Sequence, residues 1–121
     1  MNVADALRER TFEFAARTVA LCQGLPEDWR TREVGRQLLR SATGTAANYR
    51  AACRGRSRRE FIAKLGVAVE EVDETVFWLE LIDRARLSEQ ATLKPLHAEA
   101  QELRAILARS HRTARRNNAP E

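Results

Sequence analysis

SRREFIAKLGVAVEEVDETVFWLELIDRA, residues 57–85, reads as one long helix. Ser57-Arg58-Arg59-Glu60 fits the capping-box pattern S-x-x-E, in which the serine hydroxyl can take a backbone N–H three residues on. Behind it Phe61, Leu65, Ala68, Val72, Val76 and Leu79 recur at three- and four-residue steps and make one apolar stripe. The spacing predicts a helix from Arg58 to Ala85. Val67, Trp78 and Leu81 lie far from that stripe at about 100° per residue. A helix that is apolar on two faces has a second partner or an exposed patch.

Three further helices are predicted around it. The one before runs from Trp29 to Arg54, with Asp28 as its N-cap and Val34, Leu38, Ser41, Thr45, Tyr49 and Ala52 turned inward. Its middle is built of small residues, Ser41-Ala42-Thr43-Gly44-Thr45-Ala46-Ala47. Gly44 inside a helix costs about 1 kcal/mol relative to Ala, so close approach of a neighbouring helix is expected there. The first helix spans Ala4 to Gln23 with Leu7, Thr11, Phe14, Thr18, Leu21, Cys22 and Leu25 on one face, and Gly24-Leu25-Pro26 ends it. Phe12 and Val19 fall beside that face and join Val67, Trp78 and Leu81 as an expected surface for self-association. In the last segment Ser88 can cap a first turn, and Thr92 with Pro95 can start the main body. That body reaches Arg112 with Leu96, Ala100, Leu103 and Leu107 inward. Residues 115–121 are expected to form a disordered tail.

Four amphipathic helices on connections of a few residues describe an all-α, up-down-up-down antiparallel four-helix bundle, one domain over residues 1–114. Composition agrees. Of 121 residues only 5 are Gly and 3 Pro, aromatics are 6%, and charged residues reach 31%. So few breakers among so much Ala, Leu, Arg and Glu suit long helices. No stretch approaches the length of apolar chain that spans a membrane, and no signal peptide is visible, so a cytoplasmic protein is expected. Cys22 and Cys53 lack CxxC spacing and are expected to be buried thiols.

Catalytic patterns are absent from the sequence. Ser41, Thr43 and Ser57 have no His nearby to act as base. Glu70, Glu71, Asp73 and Glu74 have no companion Glu-x-x-His for a di-iron site. His97 and His111 have no cysteine or paired carboxylate to complete a metal shell, and both are expected at the surface. No phosphate-cradling glycine loop occurs. Neither enzyme activity, cofactor nor metal is expected.

The charge pattern points to binding. Of the 21 basic residues, all but Lys64 and Lys94 are Arg, which suits bidentate contact with phosphate. Arg50, Arg54, Arg56, Arg58, Arg59 and Lys64 cluster at the turn between the second and third helices, and Arg104, Arg109, Arg112, Arg115 and Arg116 at the end of the fourth. Up-down topology puts both groups at one end of the bundle. The nucleic-acid contacts expected there are Arg50, Arg54, Arg56, Arg58, Arg59, Lys64, Arg109, Arg112, Arg115 and Arg116. The competing reading is that these cations pair with Glu70, Glu71, Asp73, Glu74, Glu80 and Asp83 of the third helix, leaving a protein scaffold with no nucleic-acid contact.

Three runs carry a resemblance: Gln37 to Arg50 (QLLRSATGTAANYR), Arg56 to Leu65 (RSRREFIAKL) and Glu70 to Leu81 (EEVDETVFWLEL). Together they resemble the four-helix bundle proteins encoded in intervening sequences of bacterial 23S ribosomal RNA genes. That family is similar to the accessory variability determinant of diversity-generating retroelements. The resemblance implies a homopentamer with helices packed around a central axis. Through the retroelement relatives it also implies a basic protein that binds RNA and a reverse transcriptase.

Overall fold

The computed structural model describes residues 2–117, and among them there are four helices and no strand. They are α1 (Val3–Gln23), α2 (Trp29–Cys53), α3 (Arg58–Arg84) and α4 (Gln90–Asn117). Backbone contact joins α1 to α2, α2 to α3, α3 to α4 and α4 back to α1, with no diagonal pair, which is the closed ring of an antiparallel bundle.

The first three helices each start on a side-chain cap. Asn2 Oδ1 accepts from Asp5 N at 2.8 Å and begins α1 one residue before the expected position. Asp28 Oδ1 takes the N–H groups of Arg30 and Thr31, both at 3.1 Å, and Ser57 Oγ takes that of Glu60 at 3.1 Å. Gly55 lets α2 turn tightly into α3, because a Cβ there would stand 3.1 Å from both Ala52 O and Phe61 N. Arg86 holds φ 58°, and the N–H of Leu87 reaches back to Ile82 O, so α3 closes with a left-handed cap on an arginine.

Helix α4 departs from expectation at both ends. It begins at Gln90, with Pro95 inside it rather than in its first turn. It continues to Asn117, so Arg115 and Arg116, expected in a disordered tail, are helical. The rest of that expected tail, residues 118–121, lies outside the described residues. Ala114 supplies a reason for the extension, being buried in the last turns.

The core follows the predicted stripes: Phe14, Leu38, Leu65, Val72, Leu79, Ala100, Leu103 and Leu107 are fully buried. Threaded through it are hydroxyls, Thr11, Thr18, Ser41, Thr45 and Thr75, all fully buried. Such groups are costly without partners, and each returns its proton to its own helix, as Thr18 does to Phe14 O at 2.9 Å. Thr75 Oγ1 also stands 2.8 Å from Ser41 Oγ and ties α3 to α2. The close approach expected at Gly44 is present: a Cβ there would lie 3.0 Å from Glu71 Oε2. That oxygen is buried without a hydrogen-bond partner. Burial, then Glu74 and against the opposing pull of Arg40, raises the Glu71 carboxyl above its ordinary range.

A candidate anion-binding end

Antiparallel order brings the end of α2, the start of α3 and the end of α4 together. The two basic groups meet directly, because Arg58 and Arg109 line one groove there. All ten expected contacts, Arg50, Arg54, Arg56, Arg58, Arg59, Lys64, Arg109, Arg112, Arg115 and Arg116, are exposed. Among the described residues none of them has a carboxylate within ion-pair distance. The acids among the described residues of this end include Glu60 in the first turn of α3, Glu70 two turns beyond Lys64, and Asp5, which is already held by Arg8 at 2.6 Å.

Four arginines along the shaft, Arg10, Arg36, Arg40 and Arg104, behave differently. Arg10 grips Glu99 through Nε and a terminal nitrogen, both at 2.8 Å, and reaches Glu102 at 2.9 Å. Those hydrogen bonds, Glu99 first and Glu102 second, raise the Arg10 guanidinium, and the Arg10 bond holds the Glu99 carboxyl below its ordinary value. Arg40 pairs with Glu74 at 3.1 Å and Arg36 with Glu33 at 3.0 Å. Arg104, which the sequence placed with the basic end, pairs instead with Asp73 at 3.0 Å and belongs to the shaft. The acids of α3 are thus engaged in part, but by shaft arginines.

Arg50 has one partner of another kind. Its guanidinium lies 5.1 Å from the centroid of the Phe12 ring, close enough for a cation–π contact. Next to it Tyr49 is buried, and burial, then Cys53, pushes its phenol well above the ordinary range. It keeps its proton and offers no base.

The expected self-association residues divide. Phe12, Val19 and Val67 are exposed. Trp78 is half-buried and donates from Nε1 to Glu74 at 3.2 Å, and Leu81 is half-buried beside Val34 and Leu87. Phe77, not singled out by the stripe reading, is 56% exposed and stands edge-on to Trp78 with centroids 4.9 Å apart. Its exposure follows from its position one residue before Trp78, outside both flanks of α3.

The histidines are not surface groups. Both are half-buried on α4: His97 Nε2 is buried without a partner, and His111 packs against Gly66 of α3. Cys22 and Cys53 are free and half-buried, with Cys22 Sγ 3.6 Å from Gly35 O, and burial raises the Cys22 thiol. Among the described residues no group of three His, Cys, Asp or Glu side chains is placed to hold a metal ion. No helix there is long and apolar enough to cross a membrane.

Comparison with known proteins places this geometry. The model of the family described as 23S rRNA-intervening sequence protein matches residues 6–109. A crystal structure from Bacteroides thetaiotaomicron, of a protein with unknown function from the S23 ribosomal protein family, superposes with a TM-score of 0.82. The two are 30% identical over 90% of this chain and 97% of that one. No curated protein matches the chain.

Proposed function

The chain belongs to the 23S rRNA-intervening sequence protein family, and from that premise we propose that it is a non-enzymatic adaptor that binds structured RNA through the arginine-rich end of its bundle. The observation that carries the reading is the gathering of ten cations, unpaired among the described residues, from two parts of the chain at one end of the bundle. Arg8, Arg10, Arg36, Arg40 and Arg104 are spent on acids of the bundle, whereas the ten cations of the end have none. A concentrated, unneutralised positive surface attracts a polyanion and releases its counterions on contact. The scaffold reading needs those same cations to pair internally, and among the described residues they do not.

Self-association belongs to the same proposal. Phe12 lines the outer groove between α1 and α2 and Val19 is exposed two turns further along α1, while Val67 and Phe77 are exposed on α3. Exposed apolar residues on two different helices suit a head-to-tail contact between copies, which closes into a ring when the rotation permits. Five copies is the number that the family resemblance implies. A ring would repeat the basic end and multiply its contacts with one RNA.

Titration of a labelled, structured RNA in 50 mM salt tests the RNA reading. Micromolar or tighter binding that weakens steeply as salt rises is the expected result, and absence of binding at low salt contradicts it. Sedimentation velocity tests the ring: the wild-type protein is expected well above its 13.7 kDa monomer mass, and Phe77→Glu is expected to dissociate it.

A further inference from the structure

The basic end is not a flat cap. Arg10 of α1 sits opposite Glu99 and Glu102 of α4, so Val3, seven residues earlier in an antiparallel pair, comes opposite residues 106–109. Helix α4 runs on to Asn117, and its last two turns therefore overhang the start of α1. What the overhang leaves open is a groove of about 370 Å³ lined by Arg58, Phe61, Ile106, Arg109, Ser110, Thr113 and Ala114. Phe61 and Ile106 pack against the core from beneath but stay half-buried, because no α1 residue lines the groove above them.

We propose that this groove receives one unpaired nucleotide of the bound RNA, its base against Phe61, Ile106 and Ala114 and its phosphate between Arg58 and Arg109. The inference rests on the RNA reading of the end and makes it specific. The volume lies at the lower end of the range of small-ligand sites, roughly 300–1,000 Å³. Its floor is apolar, its edge carries the Ser110 and Thr113 hydroxyls, two arginines stand at its rim, and among the described residues no acid lines it. An apolar floor with cations at the rim suits a base with its phosphate: the aromatic and aliphatic surface takes the base, and the cations take the backbone. A paired base cannot enter a slot between two helices, whereas a bulged or loop base can be splayed into it. Ser110, Thr113 and Ala114 lie beyond residues 6–109, the span that the family model matches.

Two hairpin RNAs of equal length and charge test it, one fully paired and one carrying a single bulged 2-aminopurine. The wild-type protein is expected to bind the bulged hairpin about tenfold more tightly and to change the probe's fluorescence. Thr113→Trp, at an exposed position, fills the groove without removing a charge. It is expected to bring the two affinities within about twofold while leaving the paired hairpin's affinity unchanged. Ser110→Leu, with melting followed by circular dichroism, repeats the test with a smaller filler. Equal wild-type affinities for the two hairpins, or a bulge preference that survives both folded variants, would overturn the groove and leave the basic end standing. Failure of both hairpins to bind at low salt overturns the end and the groove together.

Discussion

The two ends of this bundle perform the same task of reversing the chain, and they do it with different chemistry. At the end formed by residues 54–57 and the last turns of α4 stand ten exposed cations, with Glu60, Glu70 and an already paired Asp5 among its acids. At the other end the α1–α2 and α3–α4 loops meet around Pro26, Arg86, Leu87 and Glu89. Arg30, Arg32, Arg84 and Arg86 there also make no ion pair among the described residues, but Glu27, Asp28, Asp83 and Glu89 stand among them. A free arginine is therefore not enough to mark a site. What distinguishes the first end is the number of cations unpaired among the described residues, ten against four, assembled from two parts of the chain some fifty residues apart.

The largest way to break this comparison is to neutralise the ends in turn. Arg54, Arg56, Arg58 and Arg59, all replaced by Gln, are expected to lose at least about 100-fold in RNA affinity at low salt, with the melting temperature little changed. The matching set at the opposite end, Arg30, Arg32, Arg84 and Arg86 to Gln, is expected to cost less than about threefold in affinity. Equal losses from the two sets, measured by the same titration, would reduce the first end to general positive charge.

Arg10→Gln probes the shaft between them. It removes a forked contact to Glu99 and a second carboxylate partner, and it is expected to cost about 1 kcal/mol in urea unfolding, at the top of the range for partly exposed pairs. RNA affinity should stay close to wild type, because Arg10 is already occupied.

A smaller effect of opposite sign is expected from Arg86→Gly. The left-handed φ of 58° is strained for arginine and free for glycine. Relief of that strain, less the entropy glycine gains when unfolded, should stabilise the bundle by about 0.5–1 kcal/mol. It does so while removing a cation from the end that is not expected to bind RNA.

The smallest effect is a pH profile with two opposed parts. Glu99 is held below its ordinary value of 4.5 by Arg10. Its contribution to stability is present above that value and lost as pH falls through the lower, folded one. Glu71 is raised above 4.5 by burial, so its contribution is present below 4.5 and lost as pH rises through the folded value. Glu71→Gln should therefore flatten the loss on the high-pH side, and Arg10→Gln the loss on the acid side, in denaturant unfolding across pH 3 to 7.

The contrast between the ends also shows what could be read before the fold was known. Helix spans, the N-caps Asp28 and Ser57, and the tight spot at Gly44 were legible, because each depends on residues within a few turns of one helix. The basic end was legible because chain order alone fixes which helix ends meet. The partners of the arginines were not: Arg10 meets Glu99, Arg40 meets Glu74 and Arg104 meets Asp73 only through the axial register of different helices. That register moved Arg104 out of the basic group at the end of the fourth helix and opened the groove over Phe61. The left-handed cap at Arg86 carried no glycine to announce it. The true end of α4 was hidden by the polar composition of residues 108–117, in which the burial of Ala114 and the packing of His111 against Gly66 favour continuation.

The most direct test of the central claim is the salt dependence of RNA affinity in three proteins: wild type and the two fourfold Arg→Gln variants. If the arginine-rich end carries the contacts, the slope of log affinity against log salt becomes shallower by roughly 3 units in the Arg54, Arg56, Arg58 and Arg59 variant and stays at the wild-type value in the other. Identical slopes in all three proteins would contradict the account.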